Sequence, residues 1–338
     1  MKKSKTFRRL AAVLLAGTMI MAMGTSAFAD DEPTPVTSVD VTKKVTAEEK
    51  VQAPNESFIF SVVPVTVGDG TTVDGAVVYS GIAGGASFAE GKNTISFAPG
   101  DALEKSTQIT LNAGVFEKPG IYRYQVDETA GNYDGMTYST ASYYLDLYVV
   151  NGSNGLVIEG AIARDVVSGK KETAIEFENV YSTNDLTLKK VVTGNQANLS
   201  QKFDFYVTIN GVSGEKYTVE VNGEAKEPIT SGERIKYTLG HNDVVTIYGL
   251  SANDTYVIEE ENYSSDGYTT TITGADTTNG RIATGKTDTA DDNVVYTNNK
   301  EVTTPTGIVM NIAPYILMVA VAAVLAVVFL RKRNTFDN

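Results

Sequence analysis

The chain contains no cysteine. Disulfides, a lipoprotein anchor, an internal thioester and a cysteine-rich zinc site are all excluded, although exported domains often depend on disulfides. The only histidine is His241, in the turn-like run Leu239-Gly240-His241-Asn242. Histidine metal sites and Ser–His–Asp hydrolysis are therefore nearly excluded. Helical periodicity is missing between 30 and 300, and no glycine-rich phosphate loop leads from a strand into a helix. Basic charge is also scarce. The net charge is −13, yet the first 29 residues carry +5 and the segment after Gly307 carries +2, which leaves −20 between them. Such a surface aids solubility and argues against nucleic acid as a partner. No cofactor or metal site is expected: Asp30-Asp31-Glu32 and Asp291-Asp292-Asn293 read as solvated acidic turns.

Both ends carry export features. Lys2, Lys3, Lys5, Arg8 and Arg9 precede the apolar run Leu10 to Met23 and an Ala27-Phe28-Ala29 cleavage site, so residues 1–29 read as a signal peptide. Near the other end, 312–330 is an uncharged apolar run of 19 residues, long enough to span ~30 Å of hydrocarbon. Arg331, Lys332 and Arg333 follow it and should stay in the cytoplasm. Upstream lies Thr303-Thr304-Pro305-Thr306-Gly307. The layout of 301–338 resembles the cell-wall sorting signal of Gram-positive surface proteins. That resemblance implies cleavage by sortase between Thr306 and Gly307, and membrane contact only through the C-terminal helix before sorting.

The exported part is large enough for two domains. Val, Ile, Thr and Tyr recur in short alternating runs between turn pairs such as Asp134-Gly135, Asn210-Gly211 and Asp266-Gly267. The expected fold is all-β: two tandem Ig-like antiparallel β-sandwiches, at 30–181 and 182–300, joined by about five residues of linker. Spacings are longer in the first copy. Extra loop material is expected there at Val67 to Gly91 and around Asn151 to Gly169.

One pattern occurs twice. Val39, Val41, Lys43 returns as Leu186, Leu188, Lys190. Phe58-Ile59-Phe60 returns as Phe203-Asp204-Phe205. Tyr122, Tyr124, Val126, Glu128 returns as Tyr256, Ile258, Glu260, and Ile175, Phe177, Asn179 as Val294, Tyr296, Asn298. Strand residues two apart share a face. Each Lys, Glu and Asn thus shares the face of the apolar residues before it, where an unpaired polar group is costly. Lys44 and Lys189 face the other way, and so do Glu259 and Glu261 beside Glu260.

Three such groups together can react. Burial lowers a lysine pKa and raises a glutamate pKa, and a neutral amine is a nucleophile. A protonated glutamate can donate to the asparagine carbonyl, polarise its carbon and shuttle a proton to departing ammonia. Fixed neighbours supply a high effective concentration. A Lys–Asn amide within each copy would close loops of 136 and 108 residues. By the cross-link model each closure stabilises by roughly 4–5 kcal/mol and lets tension bypass most of the sandwich.

From about Val39 onward the chain resembles the Gram-positive backbone pilins with intramolecular isopeptide bonds, the streptococcal pilin isopeptide-linker family. The resemblance rests on Val39-Asp40-Val41-Thr42-Lys43, Phe116-Glu117-Lys118-Pro119-Gly120-Ile121-Tyr122, Ile175-Glu176-Phe177-Glu178-Asn179, Leu186-Thr187-Leu188-Lys189-Lys190 and Tyr296-Thr297-Asn298. It implies bonds Lys43–Asn179, assisted by Glu128, and Lys190–Asn298, assisted by Glu260. It also implies a lysine that receives the next subunit, at Lys171 or else Lys170. The expected protein is a structural subunit of a cell-surface pilus, with sortase, neighbouring pilins and peptidoglycan as partners, and not an enzyme with turnover. A monomeric wall-anchored adhesin of the same fold is the alternative. A hydrolase with paired carboxylates fits less well, because the acids occupy matching places in two domains and do not converge on one cleft.

Overall fold

The computed structural model describes residues 34–302 apart from Thr289, together with 315, 317–323 and 325. The expected signal peptide at 1–29, Thr306, Gly307 and the basic tail lie outside the described residues. The described residues of 312–330 are helical, but among the described residues no helix is long and apolar enough to cross a membrane.

Alternating β-branched and aromatic runs closed by turn residues favour strands throughout. The first half contains β1 (Ser38–Thr46), β2 (Glu56–Pro64), β3 (Thr72–Val73), β4 (Ala76–Ser80), β5 (Ala86–Phe88), β6 (Thr94–Phe97) and β7 (Glu104–Leu111). It continues with β8 (Gly120–Thr129), β9 (Met136–Thr137), β10 (Ser142–Gly152), β11 (Gly155–Asp165), β12 (Lys171–Glu172) and β13 (Ile175–Tyr181). One sheet runs β5-β7-β1-β13-β9 and the other β12-β11-β10-β8-β2-β6. Val41, Ile109 and Phe177 from the first sheet meet Phe58, Phe60, Tyr124 and Leu145 from the second in one core.

The second half repeats the plan. It contains β14 (Thr183–Thr193), β15 (Phe203–Asn210), β16 (Lys216–Val221), β17 (Glu224–Thr230), β18 (Arg234–Leu239) and β19 (Val244–Ser251). Then come β20 (Thr255–Glu260), β21 (Thr269–Thr273), β22 (Thr277–Asn279), β23 (Ile282–Lys286) and β24 (Asp292–Asn299). The sheets run β17-β16-β19-β14-β24-β21 and β18-β15-β20-β23-β22, around a separate core that includes Leu188, Phe205, Ile258 and Tyr296.

The tandem sandwich reading holds, with a refinement. The strands that open and close each half are parallel neighbours: β1 beside β13 and β14 beside β24. Two sequence expectations are corrected. The stretch around Asn151 to Gly169 is largely the β10–β11 hairpin and not loop, because Leu145, Leu147, Ile158 and Ala163 alternate into the core. Within Val67 to Gly91, β3, β4 and β5 form. The linker is also shorter than five residues, since Ser182 alone separates β13 from β14.

That junction is tied from both sides. Gly135, at φ 76°, accepts the Ser182 N–H at 2.9 Å. The buried Glu215 accepts the hydroxyls of Tyr133 (3.1 Å) and Tyr181 (2.6 Å) from the first domain through Oε1. Tyr217 lies 2.9 Å from Glu215 Oε2 and 3.1 Å from Asp254 Oδ2. One phenolic proton cannot serve both carboxylates. Burial, and secondarily the charge of Glu215, pushes the Asp254 carboxyl up to about 7, and a protonated Asp254 can donate where the Tyr217 hydroxyl does not.

Candidate functional site: two buried lysine–glutamate–asparagine trios

Strand parity puts the first trio in the core. In β1, Val39, Val41, Lys43 and Val45 are buried while Lys44 is substantially exposed. In β13, Ile175, Phe177 and Asn179 are buried. The parallel register sets Lys43 opposite Phe177 and Asn179 opposite Val45, so both polar side chains leave the same face. Glu128 reaches them from β8 in the facing sheet.

The contacts are close. Lys43 Nζ donates to Glu128 Oε2 at 2.8 Å and to the Phe177 carbonyl at 3.2 Å. Asn179 Nδ2 donates to Glu128 Oε1 at 2.7 Å. The lysine ammonium lies 4.5 Å from the Phe58 ring centroid. Both partners of the ion pair are almost fully buried, at 0% and 1% side-chain exposure. Burial pulls the Lys43 pKa down, against the opposing pull of Glu128.

The second trio follows the same rule. Lys190 on β14 lies opposite Tyr296, Asn298 on β24 lies opposite Val192, and Glu260 projects from β20. Lys190 Nζ and Asn298 Nδ2 both donate to Glu260 Oε1, each at 2.9 Å. Thr270 Oγ1 donates to the other oxygen, Oε2, at 2.8 Å. The ammonium stands 4.2 Å from the Phe203 centroid and 5.6 Å from that of Phe205. Burial brings the Lys190 pKa down to about 8, with Glu260 opposing.

One detail departs from expectation. Each asparagine turns its amide nitrogen, not its oxygen, toward the glutamate. A carboxylate accepts and cannot donate, so the NH2 group is its natural partner. In this orientation the glutamate stands at the leaving group. The repeated aromatic pairs were legible in the sequence but carried no role there. The structure makes Phe58 and Phe203 the π faces beneath the ammonium groups. His241 is a turn residue whose Nδ1 accepts the Val192 N–H at 3.0 Å.

Residues 39–182 match the family model described as the Spy0128-like isopeptide containing domain, and residues 184–300 match a domain of unknown function (DUF7601). The chain is 27% identical over 304 residues to a pilin of Streptococcus pyogenes serotype M1, covering 83% of this chain and 86% of that protein. The structure of the T3.2 major pilin of Streptococcus pyogenes is 26% identical with a TM-score of 0.60, covering 79% of this chain and 99% of that one. The chain is thus similar to streptococcal major pilins across both halves. A further Streptococcus pyogenes major pilin structure, 22% identical, shares the fold at a TM-score of 0.57 over 79% of this chain and 99% of that one.

The two lysines expected to receive a neighbouring subunit take no part in the contacts of either trio. Lys171 is on β12, paired with Arg164 of β11 at the edge of its sheet. Its half-exposed ammonium sits 3.0 Å from Asp74 Oδ2. The same oxygen accepts Arg164 Nη2 at 2.6 Å and the Tyr148 hydroxyl at 2.9 Å. Lys171 first, then the hydrogen bonds from Tyr148 and Arg164, hold the Asp74 carboxyl at about 2. Lys170 is exposed, and its carbonyl accepts the Asp165 N–H at 3.0 Å.

Proposed function

We propose that this pilin homologue is the covalently assembled backbone subunit of a pilus, with one self-formed isopeptide bond per domain. Its domains span 30–181 and 182–300. Lys43 bonds to Asn179 with the help of Glu128, and Lys190 to Asn298 with the help of Glu260. Of the three protons on each ammonium, one stays on the new amide nitrogen, one leaves on ammonia and one rests on the glutamate. The observation that carries this reading is the placement of Lys and Asn on neighbouring parallel first and last strands, both hydrogen-bonded to one buried carboxyl from the opposite sheet.

The signal peptide exports the chain, sortase cleaves between Thr306 and Gly307, and Thr306 is passed to Lys171, or else Lys170, of the next subunit or finally to peptidoglycan. Intact mass of the purified segment 30–306 tests the internal bonds: two of them remove about 34 Da, one ammonia per displacement. An unmodified mass would overturn them. Sortase ligation with Lys171→Ala and Lys170→Ala tests the joint. Loss of SDS-resistant ladders with Lys171→Ala alone assigns it, whereas a single wall-linked band from the wild type would favour an anchored adhesin.

A further inference from the structure

The two trios differ in what faces the asparagine carbonyl. Asn179 Oδ1 accepts the backbone N–H of Ser139 at 2.7 Å. Ser139 follows β9, and its turn is held in place. Its own Oγ accepts the Ala141 N–H at 3.2 Å, and the neighbouring Tyr138 hydroxyl accepts the Tyr133 N–H at 3.1 Å. Asn298 Oδ1 is buried and has no hydrogen-bond partner among the described residues. The strand beside it, β21, pairs Thr270 with Asn298. Its inward donor is the Thr270 hydroxyl, which goes to Glu260 and not to the amide.

We propose that the Ser139 backbone N–H is the oxyanion donor for isopeptide formation in the first domain, and that the second domain, which lacks this donor, closes more slowly. This inference rests on the bonds proposed above. When Lys43, having passed a proton to Glu128, attacks the Asn179 carboxamide carbon, the C=O pair moves onto Oδ1. That oxygen is where negative charge develops, and a fixed N–H beside it acts in a dry site without reorganising. The carbonyl pair then re-forms as the bond to Nδ2 breaks and ammonia departs with a proton from the Lys43–Glu128 pair. Glu128 attends only to the amine and the leaving group. Among the described residues of the second domain, the group placed to polarise the carbonyl is Glu260 itself, after the amide turns over to present its oxygen. One carboxyl must then serve three functions.

Cell-free synthesis of the chain, quenched in denaturant at intervals and digested, separates the two cross-linked peptides by mass. In the wild type, the Lys43–Asn179 peptide should accumulate about tenfold or more ahead of the Lys190–Asn298 peptide. Replacing Ser139 by its α-hydroxy acid through a misacylated tRNA removes the N–H without altering the side chain. It should slow the first bond by on the order of 10²-fold and leave the second unchanged, while Ser139→Ala should close at the wild-type rate. Ser139→Pro gives the same prediction where protease resistance of the first domain reports that it is folded. Equal or reversed order in the wild type, or an ester variant that closes at full speed, would overturn the inference. No cross-link at either site would instead overturn the bonds themselves, and the inference with them.

Discussion

In the first domain, lysine and asparagine take separate oxygens of Glu128, and the asparagine carbonyl has its own donor. In the second, both crowd onto one oxygen of Glu260, a threonine takes the other, and the carbonyl is left bare. The trio itself is the same in both. What changes is the strand next to the asparagine. β9 has only two residues, so the chain turns away early and Ser139 can aim its N–H inward. β21 has five residues and stays in its ladder past Asn298, so only a side chain can reach the site. Strand parity sets which side chains meet, and the length of one edge strand sets whether the asparagine carbonyl has a backbone donor.

The largest test of this comparison removes each acid in turn. Glu128→Ala should abolish the first bond alone and Glu260→Ala the second alone, each forfeiting about 17 Da of the mass deficit. The affected domain should lose at least about 4–5 kcal/mol from the opened loop, read by thermal unfolding with intact mass. A variant that loses both bonds, or neither, would break the independence of the two sites.

A second contrast concerns buried acids. Asp146 in the first domain is matched by Arg123 (2.7 Å) and Arg164 (3.0 Å). Glu215 and Asp254 in the second receive hydroxyls and backbone N–H groups instead. Because the folded Asp254 pKa is raised to about 7, its contribution is fully present below the ordinary aspartate value. It is lost as pH rises through about 7. The second domain should therefore weaken by a few kcal/mol between roughly pH 4 and 8, measured by denaturant unfolding. Asp254→Asn should flatten the profile, and an unchanged slope in that variant would sink the assignment of this pH dependence to Asp254.

Smaller effects belong to the junction. Tyr181→Phe deletes the 2.6 Å bond to Glu215 and should cost about 2 kcal/mol. Tyr133→Phe, at 3.1 Å, should cost about 1 kcal/mol. Equal losses would mean that the two hydroxyls share the carboxylate evenly.

Much of this was legible in the residues. A period of two is strict in a strand, so Lys43, Asn179, Lys190, Glu260 and Asn298 could be placed inward from their neighbours alone. Glu128 was placed by the same rule, and its carboxyl is buried even though its strand is ending. Three features were hidden. Ser139 acts through its backbone, which carries no side-chain signature. Glu215, in Gly214-Glu215-Lys216, reads as a surface turn until tyrosines from the other domain cover it. The β10–β11 hairpin passed for loop because its glycines and asparagines sit between two long strands and not at their outer ends.

Ser182 leaves the two sandwiches no slack, and a carboxylate gripped by hydroxyls from both denies them a swivel. The halves must turn as one body. In any filament of such molecules, flexure would then be pushed to the seams between subunits, giving one compliant point per repeat where two might be counted from the domain number.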